Sequence, residues 1–379
     1  MRSPTTPSND AVNVLLLGAT GAVGRRVAGE LSRSDAVHRL VVSSRNGTTL
    51  ERFAHNLGGA ERGVFPLEMD VSKEDSLAVA GREFDVIASC VGPSYLYEEI
   101  VVSAAVAAGT ACVSLGDDAA TLQRLGESSD SAAAAGATIV TGCGLSPGLT
   151  NLMGRLAAAQ LDEVDKIAIH VARSASDAGG PASLRSLVRT VAEGPPPPSR
   201  GPEDPNSATP RPSFFPDPVG WVETFGYDHP ELATLRRSFP GVRSVEFRAG
   251  LAERAAMDLV RAVAAVSRTE GSGGRSIAAA GLLRRVLERL PARSAEWTAA
   301  RVDVEGRREG RPLSISYGIV DHLANLAALP MAQAALALGS GDTAAPGVHA
   351  PDEVFGAKPF LRALSHRGLR IARLEPHAV

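Results

Sequence analysis

The sequence predicts an α/β protein, a doubly wound parallel sheet interrupted by a second, α+β domain. Three observations carry this expectation. Val12 to Leu17 is a short apolar run that leads into Gly18-Ala19-Thr20-Gly21-Ala22-Val23-Gly24, after which apolar residues recur at helical spacing through Val27 and Leu31. Similar runs follow at Leu40 to Ser43, Val64 to Met69, Phe84 to Cys90, Ala111 to Leu115 and Ile139 to Val140, mostly with helical stretches between them, as in a parallel sheet. From Val164 onward the pattern changes to strands grouped with helices, which marks a separate unit. At 379 residues the chain is long enough for both.

The glycine stretch has the form of a dinucleotide cradle. Gly18 makes the tight turn off the strand, Gly21 lets backbone amides approach a pyrophosphate, and Gly24 lets the helix press on the sheet. Thr20, Ala22 and Val23 complete the loop, and the helix N-terminus favours negative charge. Strand, glycine turn, helix and second strand together read as a Rossmann unit rather than a glycine-capped turn.

The end of the second strand selects the cofactor. NAD sites usually carry an acid about 20 residues beyond the glycines. Here Ser43-Ser44-Arg45-Asn46 stands in that place, with no acid before Glu51. Two hydroxyls and a guanidinium suit a 2′-phosphate, so NADP(H) is expected in preference to NAD(H). The alternative is that Arg45 is a solvated residue at a helix start.

Asn46 to Leu57 reads as the next helix, and Asp70-Val71 as the turn after the third strand. That turn lies over the adenine of a bound dinucleotide, and Asp70 reads equally as a partner of the adenine amine or as a helix cap. Cys90-Val91-Gly92-Pro93 ends the fourth strand beside the nicotinamide half. A helix from Leu96 to Ala108 leads to the fifth strand and to Gly116-Asp117-Asp118. Asp117, Asp118, Tyr95 and Tyr97 are the polar groups expected to be catalytic at that edge, against the plainer reading of each as structural. Thr141 to Asn151, TGCGLSPGLTN, opens the helix Leu149 to Leu161, and its Gly142, Cys143, Gly144, Pro147 and Asn151 are candidate substrate contacts. Cys143 also reads as an inert buried thiol, and the segment as a plain crossover.

The second domain begins near residue 146 and runs to about 319. Val164 to Val171 is its first strand. Arg173 to Gly180 is a polar loop whose Gly179 and Gly180 would let it close on substrate, and Ala182 to Val191 is a helix. Gly194 to Pro218 is so rich in proline that regular structure is not expected in its interior; a lid, a dimer arm or disorder is. Val242 to Phe247 is a strand, Ala252 to Val266 and Ile277 to Leu290 are helices, and Ser294 to Glu305 with Pro312 to Tyr317 is a hairpin. Residues 320–379, with the apolar helix Val320 to Leu338 and a last strand near Leu369 to Leu374, are expected to pack back on the first domain. His322 and His170 are lone histidines and weak site candidates.

Composition excludes several classes. A net charge of -3 leaves no electrostatic footprint for nucleic acid, and no apolar run has the length of a membrane span. Cys90, Cys112 and Cys143 form no metal-like or paired spacing, so no metal is expected and reduced thiols in the cytoplasm are. Residues 1–10 read as a disordered tail without a signal-peptide core. Lysine occurs only as Lys73, Lys166 and Lys358, which disfavours a lysine-imine mechanism. The proline-rich arm and the hairpin suggest a homodimer.

Four segments resemble the saccharopine dehydrogenase family, including its lysine 6-dehydrogenase branch: GATGAVGRRV from Gly18, CVGP from Cys90, GCGLSPGLTN from Gly142, and APGVHAPDEVF from Ala345 followed by FLRALSHRGLRI. The resemblance covers nearly the whole chain. It implies a Rossmann domain interrupted by an α+β domain and hydride transfer between NAD(P) and a carbon bonded to nitrogen in a small amine or amino acid. It also implies that Gly18, Gly21 and Gly24 cradle the pyrophosphate and that Val91, Gly92 and Pro93 flank the nicotinamide ribose. The chain departs from the family after the fifth strand, where a Tyr-Val-Asp-like string is replaced by Cys112-Val113-Ser114. YGIVDHLANLAALP, around His322, also lacks the glycine-rich entry expected before the tail helix. Two alternatives stand beside this reading: a reductase of C=C or C=O, as in the similar trans-acting enoyl reductases, and an NADP-sensing protein without turnover.

Overall fold

The computed structural model describes residues 11–177, 179–196, 204–269, 283, 285–286, 296–341 and 345–375. The expected tail over residues 1–10 lies outside them, as does the helix expected over Ile277 to Leu290 except for three residues. The chain divides into two compact units.

The first unit comprises Met1–Gly116, Arg124–Gly144 and Ala327–Val354. Its strands are β1 (Val12–Leu17), β2 (Val37–Ser44), β3 (Val64–Glu68), β4 (Val86–Ser89), β5 (Ala111–Ser114), β6 (Thr138–Val140) and β13 (Gly347–His349). They form one parallel sheet in the order β13-β6-β5-β4-β1-β2-β3. This is a doubly wound Rossmann sheet, with the order reversing between β1 and β4. β1 is apolar apart from Asn13 near its start, because a central parallel strand is covered on both faces. The helices α1 (Ala22–Leu31), α2 (Gly47–Asn56), α3 (Glu74–Gly81) and α4 (Ser94–Ala108) cross between strands.

The second unit comprises Asp117–Gln123, Leu145–Leu326 and Phe355–Val379. Its strands are β7 (Glu163–Arg173), β8 (Arg211–Phe215), β9 (Gly220–Gly226), β10 (Ser244–Leu251), β11 (Thr298–Arg308), β12 (Arg311–Asp321) and β14 (Ile371–Leu374), in the order β14-β12-β11-β7-β10-β9-β8. β7 and β10 are parallel and the other pairs antiparallel, so this is a mixed α+β sheet. Its helices include α7 (Leu149–Ala158), α8 (Pro181–Glu193), α9 (Glu231–Ser238) and α10 (Arg254–Thr269), while α5 (Ala119–Glu127) and α6 (Ser129–Ala134) precede them in the chain.

Two expectations are corrected. The proline-rich segment contains β8, paired with β9 in the register Pro212↔Glu223. β8 is the last strand in the sheet order, and on an edge a proline's missing N–H need not break a ladder. The tail does not return as a whole to the first unit: β13 joins the first sheet, but Phe355–Val379 falls in the second unit and β14 pairs with β12. Four residues of strand carry no mark of which edge they will extend, so the choice was invisible in the pattern. Strand β9 and helix α9 were not anticipated at all.

On the second sheet, His170 Nδ1 lies 2.9 Å from Ser213 Oγ, and its Nε2 is 3.8 Å from Asp303 Oδ2. Burial holds the imidazole down to about 4 against the opposing pull of Asp303. The unfolded chain, titrating near 6.5, therefore binds the extra proton first, and stability falls as pH drops from about 6.5 to 4. The effect is on the order of 3 kcal/mol. His170→Gln should flatten the melting temperature across this window; an unchanged slope in the variant would show that acid lability arises elsewhere.

Candidate cofactor and substrate site

The glycine turn closes on itself by backbone contacts. Gly18 has φ +71°, and a Cβ there would lie 2.9 Å from the Cys90 carbonyl oxygen at the end of β4. Gly24 is tighter: its Cβ would lie 2.2 Å from the Gly18 carbonyl oxygen. Only glycine allows α1 to seat this close to the turn. The Gly21 N–H donates to Gly18 O at 3.0 Å and the Arg25 N–H to Gly21 O at 3.0 Å, so α1 opens at Ala22 with its first amides turned out of the helix ladder. Gly21 and Ala22 are exposed, and the Arg25 side chain braces the loop through Thr20 O at 2.8 Å. A solvent-facing helix N-terminus behind a turn whose Gly18 and Gly21 carry no side chain fits a pyrophosphate.

At the end of β2, Ser43 is buried and Arg45 exposed. Ser44 Oγ is buried with no hydrogen-bond partner among the described residues, an orphaned donor at the ribose position. Asn46 is occupied as the cap of α2, accepting from Thr49 N at 3.0 Å. Asp70 makes its own turn, with Oδ1 accepting from Ser72 N at 3.1 Å and Ser72 Oγ at 2.9 Å. Those bonds, helped by the charges of Arg45 and Lys73, hold its carboxyl below the usual range. Asp70 thus closes a side-chain turn ahead of α3 and is not its cap, which is Lys73. Val71 is buried in the core. The acid missing from β2 has a neighbour that the linear reading overlooked. Glu68 of β3 is in register with Ser44, and a Cβ on Gly47 would lie 2.2 Å from its Oε2.

At the other half of the edge, Gly92-Pro93 leads into α4, and Tyr95 is half-buried in its first turn. Tyr97 packs against the apolar core of the unit. Burial alone pushes the Cys90 thiol up to about 12. Cys143 is buried, its N–H donating to Ser114 O at 2.7 Å and its Sγ 3.8 Å from Pro330 O, and burial pushes its thiol up as well. This is the inert thiol of the plainer reading. Gly142 and Gly144 are buried on either side.

In the second unit the acids after β5 are engaged. Asp118 Oδ1 accepts from Thr121 N at 2.9 Å and Thr121 Oγ1 at 2.7 Å, and Oδ2 pairs with Arg189 Nε at 3.0 Å. Arg189 also reaches Glu193 at 2.8 Å, and Ser186 Oγ lies 3.4 Å from Asp117 Oδ1. Burial raises the carboxyls of Glu193 and Asp228, and the charge of Asp118 adds to both. Arg185, on the same helix, has a buried Nε without a hydrogen-bond partner among the described residues. Pro147 is buried, and Asn151 caps its own helix by accepting from Gly148 N at 2.9 Å. Gly179, with φ +79°, packs on Ser183, and Gly180 caps α8. His322 is exposed, with Nδ1 4.0 Å from Glu296. The residues missed by sequence reasoning are Glu68, Glu98, Arg185 and Arg189. Charged residues inside helices and at strand ends give no periodic signal.

Residues 14–140 match the family described as the saccharopine dehydrogenase NADP binding domain. Among solved structures, the chain is similar to apo histidine-tagged saccharopine dehydrogenase (L-Glu forming) from Saccharomyces cerevisiae, at 16% identity and a TM-score of 0.68 over 96% of this chain and 100% of that one. At this identity the likeness concerns the fold. C. glutamicum DAP dehydrogenase in complex with DAP matches at 14% identity and a TM-score of 0.48, over 95% of this chain and 99% of that one. Residues 14–140 of the chain thus match the NADP binding domain of that family, and the fold of a saccharopine dehydrogenase is shared along nearly the whole length.

Proposed function

We propose that the protein uses NADP(H) to transfer a hydride at a C=N or C–N bond of a small amine or amino acid. The observation that carries the reading is the turn from Gly18 to Gly24, where close backbone contacts leave an open helix N-terminus for a pyrophosphate. Bound there, the cofactor supplies the hydride. The chain's own part is binding and orientation. The opening amides of α1 hold the pyrophosphate, and Ser44 and Arg45 take the 2′-phosphate. Val91, Gly92 and Pro93 flank the nicotinamide ribose, and Tyr95 offers a phenol to the substrate nitrogen. Asp118, with both oxygens engaged, serves as the anchor of Arg189 within the second unit.

Calorimetry with NADPH and NADH tests the cofactor. Arg45→Ala should weaken NADPH about tenfold while leaving NADH nearly unchanged, the loss of one charge-assisted contact. An equal loss for both cofactors would remove the 2′-phosphate assignment. NADPH consumption with 2-oxoglutarate plus L-lysine or ammonium, cyclic imines, enoyl thioesters and simple carbonyls tests the reaction. Turnover on an imine or imine-forming pair supports the proposal. Turnover confined to enoyl or carbonyl compounds replaces it, and binding without turnover leaves a sensor.

A further inference from the structure

Helix α4 buries Ser94, Glu98, Val101, Val102, Ala104 and Ala105. Five of these are small or apolar, as a helix on a sheet requires. Glu98, 2% exposed, is a carboxylate in their midst. Burying an acid there is costly unless it is compensated, and packing gives no reason for it. Its Oε1 accepts from the hydroxyl of Ser114, the last residue of β5. Its charge also bears on the Cys112 thiol, which burial first and Glu98 second push up. The carboxylate therefore lies at the carboxyl end of β5, beside the end of β4, where Ser89 is in register with Ser114. This is the half of a doubly wound sheet that takes the nicotinamide end of a dinucleotide.

We propose that Glu98 supplies from α4 a carboxylate at the end of β5, and that it compensates positive charge at the nicotinamide edge. The inference rests on the NADP(H) reading above. NADP+ has a cationic ring and NADPH a neutral one, so a fixed carboxylate at this edge favours the oxidised member of the pair. Glu98 is a positioning residue in this account.

The test is calorimetric affinity for NADP+ and NADPH in the wild type, Glu98→Gln, Ser114→Ala and the double variant Glu98→Gln/Ser114→Asp, with thermal unfolding as a control. Gln keeps an acceptor for Ser114 but loses the charge, whereas Ser114→Ala loses the hydrogen bond and keeps the charge. The expected result is that Glu98→Gln weakens NADP+ about tenfold more than NADPH, Ser114→Ala shifts the ratio less than threefold, and the double variant regains most of the wild-type ratio. Equal effects of Glu98→Gln and Ser114→Ala, an unchanged ratio, or a double variant no better than Glu98→Gln would each overturn the proposal. If Glu98→Gln does not fold, Glu98→Ala/Ser114→Asp, which moves the carboxylate to the strand end, should keep the NADP+ to NADPH ratio within threefold of the wild type, and a tenfold shift toward NADPH overturns the proposal. A wild type that binds neither cofactor would instead remove the cofactor reading, and this inference with it.

Discussion

Gly24→Ala should lower NADPH affinity at least a hundredfold and destabilise the first unit by about 1–3 kcal/mol, the usual cost of forcing a methyl group into a packed site. The added carbon would lie 2.2 Å from Gly18 O, 2.9 Å from Gly18 C and 3.0 Å from Ala19 Cα. All three are backbone atoms, so no side chain can swing away. Relief requires α1 to lift from the turn, which carries the opening amides away from the phosphate position. Gly21→Ala separates packing from approach. Its Cβ would meet only Gly18 O, at 3.2 Å, so its loss of stability should be several-fold smaller, while NADPH affinity still falls. Calorimetry and urea unfolding of both variants decide the matter: a Gly24→Ala protein that binds within threefold of the wild type would mean that the turn is not the cradle.

Glu231→Ala should destabilise the second unit by about 3 kcal/mol, since each buried polar partner left unpaired costs about 1–3 kcal/mol. Glu231 is fully buried at the start of α9 and accepts from the hydroxyls of Ser146 and Thr150. His229 Nδ1 lies 3.3 Å from its Oε2, with the imidazole stacked on Phe247 at 3.7 Å between ring centroids. Asn151 Nδ2 adds a bond to Thr234 Oγ1 at 3.3 Å. The SPGLTN turn at the mouth of α7 is thus tied to α9 by polar contacts that alanine would leave unpaired. Glu231→Gln, which keeps one acceptor, should lose about half as much. Denaturant unfolding measures both, and a loss under about 1 kcal/mol for alanine would show that the cluster is not a structural tie.

The site was legible where local chemistry dictates local geometry. The glycines between Gly18 and Gly24 were read for turn, approach and packing, and the contacts of Gly18 and Gly24 match the turn and packing roles. The candidate acids were less legible. A carboxylate a few residues beyond a strand looks the same in sequence whether it meets substrate or, like Asp118, caps a helix and holds an arginine from a helix about seventy residues later. Glu98 was passed over for the opposite reason: a lone acid inside an apolar helix gives no signal until the helix shows which side it buries.

By itself the sequence determined the β1-turn-α1 cradle, the parallel alternation that follows it and the change to a second kind of unit near Val164. Each depends on contacts within a few residues or on a repeating period, which a linear pattern contains. Only the tertiary structure decided that β8 is an edge strand able to hold Pro212, that β14 extends the second sheet, and that Glu98 meets Ser114. Those outcomes depend on which distant edges and faces come together as apolar surface is buried and backbone donors find acceptors, and that is a property of the whole packed chain.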